Sequence, residues 1–229
     1  MSLWTELDSA TTAAGDEIIL RQRDEIYEIR YNGFELMSNL NHVSEDQLAA
    51  KSLRYAGHRA RRVLIGGLGL GFTLRAVLDH VGPDAEVTVC ELIPEIVAWN
   101  RSVLAPLASA PLMDPRVRVI VGDVQAHLAE TANHYDAILM DTDNGPDLTV
   151  RAQNEAIYGA GGLASVATAL RPGGVAAFWS ATVSPGFEAA LSIFDPEWTR
   201  DDISLVSGRA DAMHHIYFCS GETALRRAA

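Results

Sequence analysis

The chain has 229 residues, 48% hydrophobic and 21% charged, with a formal net charge of −12 and a pI near 4.9. That size fits one α/β domain with a small appendage, and the acidic balance excludes nucleic acid as an expected partner because no basic patch can neutralise phosphates. No apolar run approaches the roughly 18–20 residues of a membrane span, and MSLWTELDSA lacks the cationic and apolar regions of a signal peptide, so a cytoplasmic protein with no membrane contact is expected.

Residues 17–40 alternate apolar and polar in EIILRQR, EIYEIRY and FELMSN, with Asn32-Gly33 as a tight turn between the last two. This reads as a small antiparallel β-meander within an N-terminal unit, residues 1–43. From Ser44, SEDQLAAKSLRYAG carries a capping Ser, early acids and a closing Gly57, which predicts a helix opening a second unit, residues 44–229.

The segment RRVLIGGLGLG, 61–71, is the most informative in the chain. A short apolar run, Val63-Leu64-Ile65, empties into glycines at 66, 67, 69 and 71, and a helical pattern follows. That is the form of a first βα turn whose backbone approaches a nucleoside, with Gly67, Gly69 and Gly71 as cofactor-binding candidates. The dinucleotide fingerprint needs G-x-G-x-x-G, and here Phe72 stands where its third glycine would be, which argues against NAD or FAD. An S-adenosylmethionine-type nucleoside is the better expectation.

Strands are expected at 62–66, 86–91, 117–121, 136–141, 174–180, 202–206 and 214–219, with helices at 70–80, 94–104, 123–131, 153–170 and 186–193. The alternation predicts a Rossmann-like, doubly wound α/β fold with a mostly parallel seven-stranded sheet. Arg171-Pro172-Gly173-Gly174 stops the long helix, and ETALRRAA at the C-terminus reads as a frayed tail.

Ligands of such sheets bind outside the carboxyl ends of the strands. Glu91 ends the second strand, where a carboxylate can accept both hydrogens of a ribose diol. Asp123 follows the third, placed for an exocyclic adenine amine, with the N–H of Val124 next to it for a ring nitrogen. Asp141 ends the fourth, facing the reactive end of the ligand, with Asp143 and Asn144 just beyond. Any one such acid is more often a helix cap or turn former. Their ordered recurrence behind G-x-G-x-G favours a binding site with Asp141 and Asp143 as catalytic candidates.

Other residues carry less. Cys90 and Cys219 lie in apolar runs and read as free buried thiols, and adjacent His214 and His215 would point to opposite faces of a strand, so no metal site is expected. Trp99, Trp179 and Tyr158 read as packing residues. Ser180 and Ser184 lack the G-x-S-x-G elbow of a serine hydrolase.

In VLIGGLGLGFTLRAVLDH at 63–80, CELIPEIV at 90–97, DPRVRVIVGD at 114–123 and ILMDTDNGP at 138–146, the chain resembles the spermidine-synthase-like branch of the class I S-adenosylmethionine-dependent transferases. The resemblance runs from the meander to about residue 180, and the meander is itself a family feature. It implies that Glu91 binds ribose, that Asp123 lies beside adenine, and that Asp141 accepts an amine proton. It also suggests a homodimer through the N-terminal β region. Polyamine synthases of the family carry G-G-G-D-G-G where this chain has Leu70 at the Asp position. They carry Tyr-His-Glu in the first helix, read here as Ala50-Lys51-Ser52, and D-S-S-D-P where this chain has Asp141-Thr142-Asp143-Asn144-Gly145. A dication buried without counter-ions costs several kcal/mol. Leu70 and an entrance Lys51 therefore direct the expectation to methyl transfer from S-adenosylmethionine to a small-molecule acceptor. Aminopropyl transfer from decarboxylated S-adenosylmethionine is the first alternative, and a non-catalytic nucleoside-binding module the second.

Overall fold

The computed structural model describes residues 2–12, 14–57, 60–149, 154–207, 209 and 212–220. An antiparallel four-stranded sheet comes first: β1 (Thr5–Thr11), β2 (Glu17–Arg23), β3 (Ile26–Tyr31) and β4 (Phe34–Ser38), in that spatial order. Asn32 and Gly33 both take positive φ, 47° and 80°, giving the right-handed twist that a two-residue turn between β3 and β4 needs. Strand β1 extends the expected meander by one strand. TELDSAT is mostly exposed, so its place is set by main-chain pairing to β2 and leaves no apolar alternation to read.

Helix α1 (Val43–Ala56) follows, and its capping differs from the expectation. The N-cap position is His42, and Ser44 lies one turn position inside the helix with its hydroxyl engaged elsewhere.

The main sheet contains β5 (Arg62–Gly66), β6 (Glu86–Glu91), β7 (Val117–Val121), β8 (Tyr135–Met140), β9 (Leu170–Ser180), β10 (Thr199–Ser204) and β11 (Met213–Ser220). Its order is β7-β6-β5-β8-β9-β11-β10. The pairs from β7 to β9 are parallel, and β11 runs antiparallel to both its neighbours. The chain order reverses around β5, which places the crevice for a ligand at the carboxyl ends of β5, β6 and β8.

Helices α2 (Phe72–His80), α3 (Pro94–Asn100), α4 (Val124–Ala129), α5 (Glu155–Tyr158), α6 (Ala160–Ala169) and α7 (Pro185–Phe194) cover the sheet. The single helix expected at 153–170 is divided at Gly159. The first turn of α6 rests on the end of α5 so closely that a Cβ on Gly162 would lie 2.3 Å from the Ile157 carbonyl oxygen. Residue 153 and the tail 222–229 lie outside the described residues.

The period-two alternation of a strand divides the interior into two cores. Val63 and Ile65 of β5 join a core with Ile18, Leu20, Leu48 and Leu74, so the N-terminal sheet, α1 and α2 share one face of the main sheet. Leu64 points the other way, into a core with Val166, Phe178 and Leu191. Cys90 and Cys219 are buried and unpaired. Among the described residues no helix is long and apolar enough to cross a membrane.

Candidate active site

The turn after β5 is shaped by what surrounds it. Gly67 has φ +91°, and a Cβ there would lie 2.0 Å from the carbonyl oxygen of Asp141. Gly69 has φ +53°, and a Cβ there would meet the Met37 sulfur at 2.6 Å, because β4 reaches across the turn. Both glycines line the crevice. Gly71, the third glycine expected to bind cofactor, does not. It is the N-cap of α2, turned toward Asn100 and Pro111.

On one side of the crevice lie Glu91, Asp123 and Val124, brought together as their strand-end positions require. The Glu91 carboxylate is 6% exposed and accepts the N–H groups of Leu68 and Ile93, each at 2.9 Å. Burial pushes its pKa upward, against the pull of those backbone donors. One carboxylate thus ties the glycine turn to the start of α3. Asp123 lines the crevice and is also the N-cap of α4, accepting the Gln125 N–H at 2.8 Å. Val124 occupies the first helical position, where a backbone N–H has no intrahelical carbonyl to reach.

Asp141 stands between this side and a second lobe of the crevice. Its Oδ2 accepts the Thr73 hydroxyl at 2.6 Å. Burial and the nearby Glu45 carboxylate raise its pKa to about 7, and the Thr73 hydrogen bond opposes them. Asp143 also borders both lobes, with its oxygens accepting the Asn144 N–H and the Asn154 side-chain amide, each at 2.8 Å. It anchors the segment after β8.

The second lobe contains residues that sequence reasoning missed. Glu45 reaches it from α1, Thr73 from α2 and Trp179 from β9, beside Leu70 and Phe72. Glu45 was legible only as an early helical acid, and Trp179 only as a core residue. Lys51 is elsewhere: its Nζ pairs with Asp201 at 2.7 Å, away from both lobes. Among the described lining residues of the two lobes, Glu45, Glu91, Asp123, Asp141 and Asp143 are acidic and none is Lys, Arg or His. The histidines behave as expected of adjacent strand residues, His214 bonding to Ser44 and His215 to Asp202. No cluster of metal-binding side chains occurs among the described residues.

Comparison with known proteins gives the family and the fold. The spermine/spermidine synthase domain matches residues 42–190. A polyamine aminopropyltransferase of Bacillus mycoides is 32% identical over 129 residues, 56% of this chain and 44% of that protein. One from Korarchaeum cryptofilum is 31% identical over 97 residues, 42% of this chain and 30% of that protein. The match thus spans less than half the length of these curated relatives. Spermidine synthase from Thermotoga maritima superposes with a TM-score of 0.73 at 18% identity, covering 94% of this chain and 72% of that one. A spermidine synthase in complex with the transition-state analogue AdoDATO gives 0.75 at 18% identity, covering 94% and 73%. At that identity the likeness establishes the fold.

These findings correct the expectation of methyl transfer, since the matching domain and the curated relatives are polyamine synthases and aminopropyltransferases. The physical premises fail as well. Lys51 is spent on Asp201, and beside Leu70 the described lining holds the Glu45 carboxyl, whose pKa burial pushes upward, and no cation.

Proposed function

The chain belongs to the spermine/spermidine synthase family, and we propose that it is an aminopropyltransferase moving the aminopropyl group of decarboxylated S-adenosylmethionine to a small amine. The observation that carries this reading is the lining of the second lobe, where Glu45, Asp141 and Asp143 meet with no basic side chain among the described lining residues. A crevice of that charge attracts ammonium groups and repels the carboxylate that distinguishes S-adenosylmethionine from its decarboxylated form.

In this reading Glu91 accepts the ribose hydroxyls, Asp123 and the Val124 N–H face the adenine edge, and Gly67 and Gly69 let the backbone approach the nucleoside. The donor supplies a carbon bonded to a positively charged sulfur. The amine nitrogen forms a bond to that carbon while the carbon–sulfur electron pair returns to sulfur, leaving a neutral thioether. The surplus proton of the amine passes to Asp141, whose pKa near 7 suits a general base at neutral pH. Thr73 orients its carboxylate and Asp143 adds negative charge beside it. The rest of the catalytic effect is positioning of nucleophile against electrophile.

The test is direct. Purified protein is incubated with decarboxylated S-adenosylmethionine or with the intact donor, each with a panel of mono- and diamines, and products are read by mass spectrometry. Methylthioadenosine and an aminopropylated amine, formed only from the decarboxylated donor, are expected. Turnover of neither donor with any amine would overturn the proposal.

A further inference from the structure

The second lobe lacks an acid in the glycine turn, where Leu70 is 3% exposed and packed in the core. A carboxylate reaches the same lobe from α1 instead. Glu45 is not free to swing. Its Oε2 accepts the Ser44 hydroxyl at 2.5 Å, and Ser44 Oγ lies 2.9 Å from His214 Nδ1 on β11, 170 residues along the chain. Burial pushes the Glu45 pKa upward and the Ser44 hydrogen bond opposes it. Ser44 has one hydroxyl proton, and the ionised Glu45 carboxylate accepts its hydrogen bond. The Ser44 oxygen must then accept from His214, which fixes the imidazole with its proton on Nδ1. Ser44 is fully buried, and the Trp179 ring stands edge-on to His214 with centroids 4.7 Å apart, so the imidazole is itself held. Trp179 also lines the lobe that Glu45 enters. Burial lowers the His214 pKa to about 4, so the ring is neutral and serves as a hydrogen-bond donor, not as a counter-ion that would cancel the Glu45 charge.

We propose that Ser44 and His214 position the Glu45 carboxylate as the ammonium-binding group of the second lobe, in place of the acid that the glycine turn lacks. The inference rests on the amine-transfer reading above and deepens it. The ammonium is a primary one, and it comes either from the acceptor amine or from the aminopropyl end of the donor. Glu45 therefore determines specificity, while Ser44 and His214 act through it as positioning residues.

The experiment is a set of calorimetric titrations on wild type and on Glu45→Gln, His214→Leu and His214→Asn, with thermal melts to establish that each variant is folded. Methylthioadenosine, which carries no ammonium, should bind all four proteins within about twofold of one another. With that nucleoside saturating, 1,4-diaminobutane is titrated. Decarboxylated S-adenosylmethionine is titrated separately. In Glu45→Gln and His214→Leu at least one of these two ligands should weaken tenfold or more, and which one identifies the source of the ammonium. His214→Asn, whose side-chain N–H can replace the Nδ1 donor, should stay near wild type. Unchanged affinity of both ligands in Glu45→Gln would overturn the inference and leave the transferase reading standing. Weakening in Glu45→Gln without any in His214→Leu would overturn the positioning role. Failure of wild type to bind either ammonium ligand, though it binds methylthioadenosine, would remove the transferase reading and this inference together.

Discussion

A Cβ on Gly67 would sit 2.0 Å from the carbonyl oxygen of Asp141, so the end of β8 is packed directly against the turn after β5. The glycine is therefore required twice, by its φ of +91° and by its neighbour. The same contact places Asp141 between the two lobes of the crevice.

Gly67→Ala forces strain of about 1–3 kcal/mol from the backbone conformation alone, and displacement of the Asp141 carbonyl adds to it. The expected outcome is a melting temperature lower by several degrees together with loss of nucleoside binding. Thermal denaturation and calorimetry on the one variant check both.

Asp141→Asn keeps the shape of the side chain and the Thr73 hydrogen bond but removes the proposed base. Turnover should fall by about 10²–10⁴ with nucleoside affinity retained. Because the folded-state pKa is raised, to about 7 from 3.8, the folded protein holds this proton more tightly than the unfolded chain does. Stability from this group is present below about pH 4 and is lost as pH rises through about 7. At pH 8 the Asn variant should accordingly be more stable than wild type, by on the order of 1–4 kcal/mol, and the difference should shrink toward pH 4. Urea denaturation at the two pH values measures it.

Thr73→Val deletes a hydrogen bond that favours the charged form of Asp141. The pKa of Asp141 should rise further, so the acidic limb of the pH–rate profile should move to higher pH while the plateau changes little. A limb that stays in place would remove Thr73 from the tuning of this base.

Glu91→Gln replaces one acceptor oxygen with a donor facing either the Leu68 or the Ile93 N–H. An unsatisfied buried donor costs about 1–3 kcal/mol. Both stability and nucleoside affinity should fall, the second because the glycine turn loses its tie to β6. Melting temperature and methylthioadenosine titration report the two effects separately.

Burial raises the pKa of Cys90 to about 12 and pushes that of Cys219 upward as well. Neither thiol should react with a disulfide reagent at pH 8 in the folded protein, and both should react once the chain is unfolded. Fast modification of folded protein would show that the strands open.

Residues whose place follows from chain order were legible. Glu91, Asp123 and Asp141 end or follow strands, and the topology of a doubly wound sheet sends all such ends to one edge. Glu45 was not legible, although it lies in a correctly expected helix. Helical position says only that Glu45 and Lys51, six residues apart, are separated by roughly 240° around the axis. Which of the two faces the crevice depends on how α1 is rotated against the sheet. The structure turns Glu45 toward Asp141 and leaves Lys51 to Asp201. Reversing that one assignment reversed the charge expected of the lobe.

Local pattern by itself determined the α/β alternation, the glycine turn and the order of the acids, because periodicity, backbone freedom and strand ends are properties of neighbouring residues. Tertiary structure alone decided that β4 lays Met37 over Gly69, that Gly71 faces α3, and that Ser44 meets His214 across 170 positions. Those are contacts between elements, set by how whole faces pack, and no short-range pattern encodes the rotation of one face against another.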